Sequence, residues 1–164
     1  MTAPRTFGWL GELLTPGGSS DGSSNSDKLE TVLVVDDNEF VLGSVVAVLE
    51  SAGFRVLSAL SGADAITLAK ETDLEIHLLV SDVDMPRMSG PVLGAALKKS
   101  RPDLRVILMS GADNGLLILN YGWTYLQKPF LATRLVEMVS SVLRSENRSQ
   151  GAFEFDRRKD KDPS

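Results

Sequence analysis

The sequence predicts an α/β protein: a five-stranded parallel sheet, order 2-1-3-4-5, with helices on both faces. Three observations carry this. Short apolar runs rich in β-branched residues recur between residues 31 and 144. Stretches with apolar residues at helical spacing separate them. The two patterns alternate strictly, and strands alternating with helices form parallel sheets covered on both sides.

Residues 31–35 (TVLVV) are a continuous apolar run, the pattern of a strand buried on both faces. Residues 38–52 follow as a helix, with Val41, Val45, Val48, Leu49 and Ala52 on one face and Gly53 as the stop. Residues 55–59 are the second strand, and 62–71 a helix carrying Ala65, Ile66, Leu68 and Ala69. Residues 78–81 (LLVS) are the third strand, and 91–100 a helix with proline at its start. Residues 105–109 (RVILM) are the fourth strand, and 116–119 a short helix. Residues 123–126 are the fifth strand, and 131–143 the final helix.

The 164 residues suit about one domain. With 43% hydrophobic residues the chain can bury a core unaided, and with no cysteine it has no disulfide framework, thiolate zinc site or thiol nucleophile. One histidine, His77, rules out a multi-histidine metal site and leaves a Ser-His-Asp triad open only through itself. His77 sits at a strand start, where a structural role is expected. A net charge of −5 argues against a nucleic-acid surface. No apolar run reaches the ~18 residues of a membrane span, and residues 1–14 lack the features of a signal peptide. A cytoplasmic location is the default.

Residues 1–30 are expected to be a head with a flexible Gly/Ser-rich linker at 17–27, residues 31–144 the folded domain, and residues 145–164 a disordered charged tail. Within the head, Trp9 and Leu13, and Leu10 and Leu14, are spaced as on a helix. That segment is apolar enough to dock on the domain, meet a partner or touch a membrane surface, the last least expected because only Arg5 is basic nearby; an unstructured start is the alternative.

In open parallel sheets ligands bind beyond the carboxyl ends of the strands. The first strand ends in Asp36-Asp37, the third in Ser81-Asp82, the fourth in Ser110-Gly111 and the fifth in Gln127-Lys128-Pro129. In the order 2-1-3-4-5, Asp36, Asp37 and Asp82 converge. A helix N-cap accounts for one of the first two aspartates but not for three carboxylates together. Clustered carboxylates call for a cation, and a hard oxygen set suits Mg²⁺ or Mn²⁺. Lys128 and Ser110 add an ammonium and a hydroxyl that can hold phosphoryl oxygens. A carboxylate nucleophile, a metal, a lysine and a hydroxyl are what phosphoryl transfer to aspartate requires.

These residues form motifs. Val34-Val35-Asp36-Asp37, then Ser81 through Gly90 (SDVDMPRMSG), then Met109-Ser110-Gly111, then Lys128-Pro129-Phe130 closely resemble the receiver domain of two-component response regulators. The resemblance covers residues 31–144 and implies the flavodoxin-like receiver fold. It implies a phosphoacceptor rather than an enzyme. Asp82 would take the phosphoryl group in line from a phosphohistidine of a histidine kinase or histidine phosphotransfer protein. Asp37, Asp82 and the backbone carbonyl of Asp84 would bind Mg²⁺, with Asp36 acting through a metal-bound water. Ser110 and Lys128 would hold the phosphoryl oxygens. Ser110 and Tyr125 would form the switch, and the Lys128–Pro129 bond would be cis. Residues 85–90 and 101–104 also resemble receivers attached to hybrid histidine kinases.

The chain departs from the family in three ways. Position 84 carries an extra carboxylate. The stretch from Ser110 to Lys128 is short, which puts the helix expected there in doubt. Too little chain follows residue 144 to build an output domain, so a stand-alone regulator signalling through an unknown downstream protein is expected, with no nucleic-acid or membrane partner. Two other readings compete. A haloacid-dehalogenase-type phosphatase would use Asp82-Val83-Asp84, Ser110 and Lys128, but its acidic pair should come last, and here Asp36-Asp37 comes first. A phosphorylation-independent adaptor would have no need of every chemical position being filled.

Overall fold

The structure, a computed structural model, describes residues 29–111 and 122–145. The head expected at residues 1–28, the short helix at 116–119 and the tail from residue 146 lie outside the described residues. Strands β1 (Thr31–Val35), β2 (Arg55–Ala59), β3 (Leu78–Asp82), β4 (Arg105–Ser110) and β5 (Thr124–Gln127) form one parallel sheet. Its order is β2-β1-β3-β4-β5. The described helices are α1 (Glu39–Ser51), α2 (Gly62–Glu71), α3 (Gly90–Ser100) and α4 (Ala132–Arg144).

Side chains of a strand alternate between the faces of its sheet, and two cores result. Leu33, Val35, Leu79, Val106 and Leu108 pack with α2 and α3. Val32, Val34, Leu78, Val80, Ile107 and Met109 pack with α1 and α4. The continuous apolar runs of β1, β3 and β4 are thus explained: neither face of the sheet centre meets water.

The buried stripe of α1 differs from the sequence expectation. Leu42, Val45 and Leu49 are buried, Val41 and Val48 are partly buried, and Ala52 is exposed. The helix turns Leu42 onto the sheet, leaving Val41 and Val48 on its flank. The N-cap is Asn38, whose side chain accepts from Phe40 N and Val41 N. Neither aspartate is spent on the cap. Gly53 stops α1 as expected, with φ +94° and its N–H donating to Glu50 O at 3.0 Å.

His77 joins β1 to β3. Its Nδ1 accepts from Thr31 N at 3.0 Å, and its own N–H donates to Thr31 O at 2.9 Å. An accepting Nδ1 places the ring proton on Nε2, 3.7 Å from Glu75. Thr31 is 1% exposed, so its N–H has no recourse to water. Replacing His77 by alanine is expected to cost about 1–3 kcal/mol, read as a lower urea midpoint with an unchanged slope.

Candidate functional site

The pocket is a product of strand parity. Positions 32 and 34 of β1, 78 and 80 of β3, and 126 of β5 face the α1/α4 core. Continuing each strand by two puts Asp36, Asp82 and Lys128 on that same face, at the carboxyl edge of the sheet. The register Val35↔Ser81 makes Asp36 and Asp82 neighbours.

Lys128 joins them. Its Nζ lies 2.8 Å from Asp36 Oδ2 and 3.1 Å from Asp82 Oδ1. Asp36 is buried, and its other oxygen, Oδ1, accepts from Asn38 N at 2.9 Å. Asp37 is exposed and Asp82 is partly buried. Carboxylate oxygens of Asp36, Asp37 and Asp82 all lie within 4.8 Å of one another. This donor set fits a hard divalent cation. Both oxygens of Asp36 already have protein partners, so Asp37 and Asp82 are the better direct ligands.

Burial pushes the Asp82 carboxyl above its ordinary range, the bond to Lys128 opposes this, and the charges of Asp36 and Asp37 add to the rise. Burial would lower the Lys128 ammonium, but its bonds to Asp36 and then Asp82 reverse that and hold it above its usual range.

Ser110 and Tyr125 fall on the opposite face by the same parity, with Tyr125 packed against the α2/α3 core. They reach the site through main chain. The Ser110 carbonyl accepts from Lys128 N at 2.8 Å and from the Tyr125 hydroxyl at 3.2 Å. The Lys128–Pro129 bond is cis. Asp84 is exposed on the loop after Asp82.

That loop is closely determined. Met88 N donates to Pro86 O at 2.7 Å around Arg87, whose φ is +68°. Such a conformation costs a residue with a side chain roughly 1–3 kcal/mol, and surrounding contacts must hold it. Gly90 N donates to Val83 O at 2.9 Å, and a Cβ at position 90 would collide with the Asp82 carbonyl oxygen. Only glycine lets α3 begin this close to Asp82. Sequence pattern alone assigns Gly90 no separate role; a glycine opening a helix just after a strand-end aspartate is the available signal.

Residues 32–140 match the response regulator receiver domain. The chain belongs to this family. The receiver is 35% identical over 121 residues to the sensor kinase CckA of Brucella abortus (strain 2308), covering 71% of this chain and 13% of that protein. It is 37% identical over 117 residues to the transcriptional regulatory protein PrrA of Mycobacterium leprae (strain TN), covering 69% of this chain and 49% of that one. It thus spans about half or less of these two curated relatives. Among solved structures, a response regulator receiver domain protein from Clostridium thermocellum superposes with a TM-score of 0.67 at 28% identity, over 73% of this chain and 98% of that chain. Receivers of this family serve two-component signal transduction as phosphoacceptors, and the phosphatase alternative falls with the family assignment. Among the described residues no helix is long and apolar enough to cross a membrane.

The raised Asp82 carboxyl has a signed consequence. The folded state binds this proton more tightly than the unfolded chain does, so stability falls as pH rises from the ordinary carboxylate value through the raised folded one. Without divalent cations, Asp82→Asn is expected to remove that slope. The variant should be more stable than the parent above this window and equal to it below. Urea unfolding across the acid range checks it.

Proposed function

We propose that this receiver accepts a phosphoryl group on Asp82. The observation that carries the proposal is the Lys128 ammonium seated between Asp36 and Asp82 on one face of the sheet. It lies beside the aspartate that opens the loop to Gly90. A carboxylate oxygen of Asp82 attacks the phosphorus of a phosphohistidine; the P–N bond breaks, and the acyl phosphate forms. Lys128 offsets the gathering negative charge, and the Ser110 hydroxyl, once Ser110 moves from its place at the end of the adjacent strand toward the pocket, donates to a phosphoryl oxygen.

Asp37, Asp82 and the Asp84 carbonyl would hold Mg²⁺ or Mn²⁺, with Asp36 assisting through a water. When bound, the cation neutralises the carboxylates and the phosphoryl oxygens together. Asp36 needs no direct contact, because Asn38 N and Lys128 already occupy its oxygens. The donor is a histidine kinase or histidine phosphotransfer protein, the location is cytoplasmic, and the protein is not itself an enzyme. Output passes to a downstream protein rather than to nucleic acid or membrane.

The switch reading uses the Ser110 carbonyl. Movement of Ser110 toward a phosphoryl group shifts the oxygen on which the Tyr125 hydroxyl rests. Tyr125 then responds on the opposite face, a population shift between two arrangements.

The test is labelling by acetyl phosphate in Mg²⁺, with the modified residue mapped by mass spectrometry. Label is expected on Asp82, absent from Asp82→Asn and much reduced in Asp37→Ala or in EDTA. Undiminished label in Asp82→Asn refutes the acceptor assignment. No label on any form would leave a receiver fold kept as a phosphorylation-independent adaptor.

A further inference from the structure

An apolar groove of about 750 Å³ runs between α1 and α4, with Phe40, Val41 and Val48 on one wall and Phe130 and Leu135 on the other. Lys128 and Gly111 stand at its upper end, beside the acidic pocket. Val48 and Ala132 also line a second hollow of about 590 Å³, which extends the groove down to Ala52. Phe40, which lines the groove, is 89% exposed, and Leu131, between the lining residues Phe130 and Ala132, is 75% exposed. We propose that the groove is the docking site of this chain's own residues 7–14.

The segment FGWLGELL holds Phe7, Trp9, Leu10, Leu13 and Leu14. As a helix it is about 12 Å long, and the α1 wall from Phe40 to Ala52 is about 18 Å. A helix this short does not persist alone in water and requires a surface for its apolar side chains. The tether reaches. Arg55 N donates to Glu30 O at 3.0 Å, which puts the start of β1 beside the foot of α1. Ala52, at the lower end of the groove, is three residues from Arg55 and so within about 10 Å of it. Residues 15–28, rich in Gly and Ser, span about 20 Å as a coil. A tether of this kind gives an effective concentration on the order of 1 mM, so a weak intrinsic affinity suffices. The tail also leaves from the foot of the domain, after α4, but its apolar residues are confined to Ala152, Phe153 and Phe155 among charges.

Trp9 and Trp123 are the only tryptophans, so full-length Trp123→Phe reports on Trp9 alone. Its emission is expected to be quenched by acrylamide several-fold less than in the guanidinium-unfolded chain, independently of protein concentration. Adding Ala47→Glu and Ala132→Glu, both at exposed positions lining the groove, should restore quenching to the unfolded level with far-UV circular dichroism unchanged. Three results overturn the proposal. They are a Trp9 as quenchable as in the unfolded chain, shielding that survives the two glutamates, and shielding that grows with protein concentration, which marks a second copy. Should Trp123→Phe unfold the domain, ¹⁹F NMR of the 5-fluorotryptophan-labelled chain gives the same reading. The Trp9 resonance, identified by its loss in Trp9→Phe, must move on adding the two glutamates; an unmoved resonance overturns the proposal.

Discussion

One ammonium group holds the carboxyl edge of the sheet together. Lys128 reaches from the end of β5 to Asp36 at the end of β1 and Asp82 at the end of β3. Asp36 is 1% exposed, and a buried carboxylate without a partner costs several kcal/mol. Without Lys128 the two strand ends would carry neighbouring like charges out of water. With it, the acidic residues stay close enough to hold a cation, and under the proposed function Asp82 serves as the nucleophile. The loop from Asp82 to Gly90 and the cap at Asn38 both accommodate this arrangement. The first brings α3 against the Asp82 carbonyl, and the second gives Asp36 an N–H donor.

The two faces of the sheet divide the work. Asp36, Asp82 and Lys128 share the α1/α4 side, whereas Ser110 and Tyr125 follow the α2/α3 side. The Ser110 carbonyl belongs to both, since it accepts from the Lys128 main chain and from the Tyr125 hydroxyl. Under the proposed function this oxygen is where chemistry on one side becomes a rearrangement on the other. Shared main chain transmits small displacements because the packed strands on either side have little room to deform independently.

Much of this was legible in the sequence, for physical reasons. The unbroken apolar runs of β1, β3 and β4 signal strands buried on both faces, and the strict alternation signals parallel pairing. Asp36, Asp37, Asp82 and Lys128 were found because strand ends are where an open sheet exposes polar chemistry. Other features were not legible. The sequence does not say that Asp36 is buried and Asp37 exposed, since parity decides only once the strand end is known. The apolar pattern starts the helix at Asn38, yet Asn38 is the N-cap, because its side chain turns back to accept from Phe40 N and Val41 N. On α1 the pattern finds Val45 and Leu49 but takes Val41 for Leu42, because the two are equally apolar and only packing distinguishes them. The α1–α4 groove is a property of two helices far apart in sequence, invisible until they meet.

Under the proposed function Lys128 holds the carboxylates in the resting pocket and a phosphoryl group in the charged one. The most direct measurement is the ¹⁵N shift of the Lys128 ammonium by NMR, in Mg²⁺, before and after adding the phosphoryl analogue beryllofluoride. The account predicts that the resonance moves in the parent protein and stays fixed in Asp82→Asn. A resonance unmoved in the parent, with the analogue bound, would contradict it.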